Sequence, residues 1–157
     1  MAAPGAPHIY AANLSLMKLS DLTSADVRLA LVTSSYTPNI TATGHDEWAD
    51  VSANEIAGGT GYTTGGYPLA TEAVAAAAAN DGFKFSTGNA TWTASGAGIA
   101  AFRYGVIYVV GSLWTRTNPL LAYFVGDSAP ADVPATAAPN IFGFNCPADG
   151  WFKLASS

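Results

Sequence analysis

The densest set of groups able to do chemistry is His45-Asp46-Glu47 with Asp50. An imidazole nitrogen beside carboxylate oxygens could ligate a metal, or serve a hydrolase centred on His45 and Asp46. The other histidine, His8, stands far away in sequence and bears no spacing relation to it. The cluster therefore reads as a solvated acidic turn or helix start. Nucleophilic catalysis requires a nucleophile, a base and an orienting group. Serines and threonines are so frequent that any pairing with His45 is a chance match, and no Gly-x-Ser-x-Gly occurs. Cys146, the single cysteine, stands between Asn145 and Pro147. It excludes an internal disulfide framework and a cysteine zinc site, and reads as a small buried side chain. No catalytic residue, no metal and no cofactor is expected.

The segment Gly58-Gly-Thr-Gly-Tyr-Thr-Thr-Gly-Gly66 holds five glycines in nine residues. It fails G-x-G-x-x-G, because Gly65 is misplaced after Gly59 and Gly61, and no Gly-Lys-Ser/Thr follows. It reads as a structural turn or an interface loop. Trp114 beside Arg116, with Trp48 and Trp92 elsewhere, could stack on a sugar ring. Aromatic residues are also the usual anchors of protein–protein contacts, and partner contact is the favoured reading. Asn13-Leu-Ser15, Asn39-Ile-Thr41 and Asn89-Ala-Thr91 match the glycosylation pattern, which means little without a secretory signal.

Composition narrows the classes further. The 157 residues suffice for one domain with a proper core. Half of them are hydrophobic and 11% are charged, against about 25% in an ordinary soluble domain. A net charge of −5 has the wrong sign for holding nucleic acid. No apolar run approaches the ~20 residues of a membrane-spanning helix; Ile99 to Val110 is shorter and contains Arg103. The first residues lack the charged and apolar regions of a signal peptide. Sparse charge with many aromatics describes a compact protein whose surfaces tolerate large assembly contacts.

The elements that must position these groups follow from pattern. Residues 1–8, with two prolines and a glycine, read as an extended N-terminal arm, and 9–157 as one domain. His8 to Lys18 carries helical spacing, and Leu19 to Asp26 reads as a connector. Val27 to Thr33 alternates as a strand whose Arg28 side is wet or faces a partner. His45 to Ala57 reads as a short helix packing Trp48, Val51 and Ile56, or as an irregular strand. Tyr67 to Ala79 reads as a strand despite its alanine run, since propensity is weak beside tertiary context. Asn80-Asp-Gly82 marks a hairpin turn, followed by strands at Phe83–Ser86 and Thr91–Ala94. Gly98 to Val110 is the strongest strand, Gly111 to Asn118 a loop exposing Trp114, and Pro119 to Gly126 another strand. After a Pro/Ala loop over Asp127 to Pro139, Ile141–Asn145 and Trp151–Leu154 read as a closing hairpin. The expected fold is all-β: an antiparallel β-sandwich, jelly-roll-like, with a short N-terminal arm or helix and long loops.

Three stretches together resemble a family of short bacteriophage virion structural proteins. They are Val27-Arg-Leu-Ala-Leu-Val-Thr-Ser-Ser-Tyr-Thr-Pro38, Glu55-Ile-Ala-Gly-Gly-Thr-Gly-Tyr-Thr-Thr-Gly-Gly66 and Arg103-Tyr-Gly-Val-Ile-Tyr108, in that order and spacing. The resemblance implies a β-sandwich without catalysis that decorates or cements a capsid, or forms the base of a head or tail fibre. The negative net charge fits the outer surface of the capsid, and the aromatics leave a tail-tip or fibre-base domain that binds glycans as the alternative. The resemblance also implies a homotrimer that contacts the major capsid protein, and neither nucleic acid nor membrane as partner. The expected contact residues are Pro4, Pro7, Ile9 and Tyr10 in the arm, Trp48, Tyr62 and Tyr67 around the glycine loop, and Trp114. The chain departs from the family pattern in its Pro-rich arm, its alanine run and its Pro/Ala loop.

Overall fold

A computed structural model describes residues 4–78, 81–127 and 131–155. Its strands in chain order are β1 (His8–Ile9), β2 (Asp26–Val32), β3 (Tyr67–Pro68), β4 (Ala73–Ala76), β5 (Gly82–Ser86), β6 (Ala90–Thr93), β7 (Tyr104–Val110), β8 (Ser112–Leu113), β9 (Arg116–Thr117), β10 (Leu120–Val125), β11 (Ile141–Phe144) and β12 (Phe152–Ala155). One short helix, α1 (Ala11–Leu14), and three 3-10 turns complete it. Every strand pairing is antiparallel. A five-stranded sheet runs β1-β10-β7-β2-β3, with a three-stranded sheet β12-β5-β4, a pair β11-β6 and a small hairpin β8-β9. The fold is an all-β, sandwich-like one.

The β2–β7 ladder is the longest, from Asp26 opposite Val110 to Val32 opposite Tyr104. Both of its faces are apolar, so each must be covered. On one face Val27, Leu29, Leu31, Ile107 and Val109 pack with Phe85, Trp92, Phe142, Phe144 and Phe152 of the smaller sheets. On the other, Ala30, Val32, Val106 and Tyr108 pack with Tyr10, Tyr36 and Val51 from the segments before and after β2. The Arg28 side of β2 is thus wet only at its end, because Ala30 and Val32 are fully buried there.

Strand β10 serves both cores through a register shift between Leu120 and Ala122. A bulge inserts one residue and reverses which face the following side chains take. Leu120 therefore joins the Tyr10 side, while Leu121, Ala122 and Phe124 join the aromatic side.

Several sequence expectations need correction. The helical spacing over 8–18 contracts to α1, because His8 and Ile9 pair with Tyr123 and Ala122. The connector 19–26 is largely a 3-10 turn that buries Leu19 and Leu22. The 45–57 stretch forms two 3-10 turns, Trp48–Asp50 and Ser52–Asn54, that bury Val51 while Ile56 follows. The 67–79 strand splits into β3 and β4, in different sheets. The alanine run is extended where described, with Val74 against Phe85 and Ala76 against Phe83. In the Asn80-Asp-Gly82 turn, Asn80 lies outside the described residues. The 98–110 strand is regular only from Tyr104; Ile99 and Phe102 instead make single bridges to Thr136 and Val133.

Strands β4 and β5, on either side of the 80–82 turn, do pair, but the closing hairpin of 141–145 with 151–154 does not form, and β5 and β6 do not pair across Thr87-Gly-Asn89. Strand β5 pairs with β12 and β4, while β6 pairs with β11. The aromatics decide this exchange: Phe85 meets Phe152 at 5.5 Å and Trp92 meets Phe142 at 6.0 Å between ring centroids. Such cross-strand aromatic contacts stabilise a pairing beyond area burial.

Gly105, fully buried in β7, lies directly opposite Phe124. A methyl group there would meet the Phe124 ring. Gly105→Ala is therefore expected to destabilise the fold by about 1–3 kcal/mol through overpacking. Urea unfolding checks this: a lowered midpoint with an unchanged slope is the expected result.

Candidate functional site

The acidic constellation is a roof clamp. Asp50 accepts the backbone N–H groups of Asp46 and Glu47 at 3.0 and 3.3 Å through Oδ2. Glu47 accepts the Thr117 N–H at 2.7 Å. Asp46 pairs with Arg116 at 2.8 Å, and its carbonyl accepts from Asn13 Nδ2 at 2.6 Å. Asn13 donates also to the Leu120 carbonyl at 2.9 Å. Its full burial removes it as a glycosylation acceptor in the folded chain. His45 Nδ1 lies 2.9 Å from the Tyr36 hydroxyl, which lies 2.9 Å from that of Tyr10. The groups that could have done chemistry hold the second core closed. Among the described residues no three His, Cys, Asp or Glu side chains gather to hold a metal. Cys146 is half-buried rather than buried, and burial pushes its thiol upward.

The eight expected contact residues scatter. Pro4 and Pro7 line a small crevice with Phe124, Pro147 and Trp151, and the Gly5 N–H donates to the Val125 carbonyl at 2.8 Å. Ile9 extends the five-stranded sheet. From residue 4 onward the arm is thus docked on its own domain rather than held out for a neighbour, and residues 1–3 lie outside the described residues. Tyr10 is fully buried and Tyr62 is 2% exposed, so neither reaches a partner. Tyr62 donates to Glu55 at 2.6 Å and accepts the Leu31 N–H at 3.1 Å. The same Glu55 oxygen accepts the Gly65 N–H at 2.7 Å, which pins the glycine segment. Trp48 is half-buried, stacked on Tyr108 at 4.2 Å. Trp114 is half-buried rather than exposed, with its indole N–H donated to Asp21 at 2.9 Å.

Pro7 and Ile9 also line a cavity of about 300 Å³ with Pro147, Asp149, Gly150, Phe152 and Lys153, and Tyr62 lines an open one of about 590 Å³ along residues 58–64. Tyr67 belongs to a third cleft. Beside it, where the β3 edge of the large sheet meets β6, a cavity of about 440 Å³ is lined by Arg28, Gly61, Thr63, Gly66, Pro68 and Thr91 to Thr93. Tyr67 is half-buried, edge-on to Trp92 at 5.4 Å. Thr63, Thr91 and Thr93 are exposed. Arg28 grips Asp26 through Nε at 3.1 Å and Nη2 at 2.9 Å, which raises its pKa further. Its Nη1 lies toward Gly65. Gly66 has a positive φ of 79°, and a side chain there would strike the Leu29 carbonyl, so the loop can lie this close to β2 only as glycine. Sequence reading missed the Thr and Arg lining. The available signal was Thr91-Trp-Thr93, whose alternation puts two hydroxyls outside a buried indole.

A second feature is an apolar row across one end of the three-stranded sheet. Ala76 stands opposite Phe83, and Phe83 opposite Leu154. Ala76 is exposed, Leu154 half-buried and Phe83 58% exposed.

No family model, curated protein or solved structure matches the chain.

Burial pushes the Tyr36 and Tyr108 hydroxyls up to about 12, and those of Tyr10 and Tyr62 higher still. A phenol whose folded pKa is raised stabilises the fold fully below its unfolded value near 10, and that contribution is lost as pH rises. The chain is therefore expected to unfold cooperatively on the way through about pH 12. Phenolate absorbance followed with circular dichroism checks this: Tyr10 and Tyr62 should ionise only with loss of structure. The docked arm supplies another expectation. Deleting residues 1–7 removes the Gly5 bond and the proline packing, worth about 1–2 kcal/mol, and lowers Tm by roughly 2–6 °C in a thermal melt.

Proposed function

We propose that this chain is a structural component of a bacteriophage particle: a capsid decoration, or cement, protein that sits on the outer surface of the coat lattice. The reading is carried by the Ala76–Phe83–Leu154 row, a cross-strand apolar row in which Phe83 is 58% exposed among the described residues, on a chain with few charges. Such a surface is suited to burial against a neighbour. Covering the open part of Phe83 is worth about 2–3 kcal/mol per copy before association costs. Copies held together as a homotrimer add their contacts through effective concentration. The major capsid protein is the partner, and the mechanism is mechanical: a rigid sandwich bridges coat subunits. The net charge of −5 suits a position away from packaged DNA.

A second reading, a tail-tip or fibre-base domain that touches glycans, draws on the Tyr67 cleft rather than on Trp114, whose indole N–H is already held by Asp21.

The test is co-sedimentation with capsids assembled from a major coat protein encoded in the same genome as this chain. Phe83→Thr keeps a β-forming residue at an exposed position, so stability should stay within about 1 kcal/mol of the parent. The parent chain is expected to sediment with capsids and the variant to remain in the supernatant. Equal sedimentation of both would remove the row from the interface, and sedimentation of neither would remove the capsid as partner.

A further inference from the structure

We propose that the cleft between β3 and β6 is a binding site for a neutral glycan. Tyr67 and Pro68 supply its apolar lining from the two faces of β3, and Thr63, Thr91, Thr93 and Arg28 supply its polar groups. The inference rests on the second reading above, glycan contact at this cleft, and not on the capsid reading, because the site shares no residue with the attachment surface.

Three properties of the cleft select the ligand class. Its volume of about 440 Å³ lies within the range of ~300–1,000 Å³ typical of small-molecule sites. Its polar groups are unspent: the Thr63, Thr91 and Thr93 hydroxyls and Arg28 Nη1 make no hydrogen bond among the described residues. Its electrostatics are balanced, because the lining's one charged residue is already forked by Asp26.

An anionic ligand such as a phosphodiester or a sialylated sugar would find a guanidinium whose charge is matched, on a chain of net charge −5. A purely apolar ligand would strip water from three hydroxyls and one guanidinium edge and give nothing back. A neutral sugar satisfies both demands. Its C–H groups meet the apolar lining that Tyr67 and Pro68 supply, and its hydroxyls exchange hydrogen bonds with the threonines and Arg28 Nη1. The cleft is open at the surface, so an internal stretch of a polysaccharide can lie in it as well as a chain end.

The site is preorganised. Glu55 holds the glycine loop through Gly65 and Tyr62, and the Tyr108 hydroxyl donates to the Gly65 carbonyl at 2.8 Å. Trp92 backs Tyr67 from below, buried to 4% exposure. Little ordering is left to be done when a ligand arrives, which favours affinity from few contacts.

The experiment uses the intact chain on a printed array of neutral and sialylated oligosaccharides, followed by amide NMR titration with the neutral glycan retained best. Expected are retention of at least one neutral glycan with millimolar affinity or tighter, and amide shifts centred on Thr63, Tyr67 and Thr91 to Thr93. Tyr67→Ala should weaken binding roughly tenfold or more. Thr91→Val with Thr93→Val, both exposed and nearly isosteric, guards against a folding defect in the first variant and should weaken it severalfold. Failure to retain any neutral glycan, retention of sialylated glycans alone, or binding undiminished in both variants would each overturn the proposal. Capsid sedimentation of the same variants should be unchanged, which separates failure here from failure of the attachment reading.

Discussion

The structure depends on one constraint: the β2–β7 ladder is apolar on both faces, so the chain must build two covers for it. The first cover is made of strands, with Phe85, Trp92, Phe142, Phe144 and Phe152 packed in tilted, stacked and edge-on pairs. The second is made of loops and single turns, which cannot satisfy their own backbone groups as a sheet does. That is why the polar residues gather there. Asn13, His45, Asp46, Glu47 and Asp50 supply the hydrogen bonds that hold Tyr10, Tyr36 and Val51 against the ladder. A cluster that resembles a reactive site in one dimension is a fastening in three.

The parts legible in the sequence were those decided locally. Val27 to Val32, apolar but for Arg28, and Tyr104 to Val110 carry strand patterns that became the central ladder. The pairing of the later strands was not legible, because Thr87-Gly-Asn89 and Pro147-Ala-Asp-Gly150 look like hairpin turns while the partners are chosen by aromatic packing at long range. The bulge in β10 leaves no mark in its pattern, since Leu120, Leu121 and Ala122 are all apolar. Tyrosine is ambiguous for a related reason. It has an apolar body and a polar tip, and it is a surface anchor or a core residue according to whether its hydroxyl finds a partner inside. Tyr10 finds Tyr36, and Tyr62 finds Glu55 and the Leu31 N–H, neither of which spacing reveals. Tyr67 has no such partner among the described residues and stays at the cleft.

Once both covers are fastened, two surface features bear on the proposed roles. One is apolar and lies on β4, β5 and β12; the other mixes an aromatic platform with free hydroxyls and lies on β3 and β6. Their chemistries differ in the way attachment and ligand capture differ. Dry apolar rows gain from permanent burial against protein, whereas an open polar cleft gains from reversible exchange with a hydrated ligand. Because they lie on different sheets and share no residue, one copy could hold a shell subunit and a glycan together.

The most direct measurement is a cryo-electron microscopy map of the particle with this chain bound. The account predicts density from a coat subunit over Phe83, with Ala76 and Leu154 inside the same contact and the Tyr67 cleft open to solvent. A map in which Phe83 faces solvent while the coat contact lies elsewhere would contradict it.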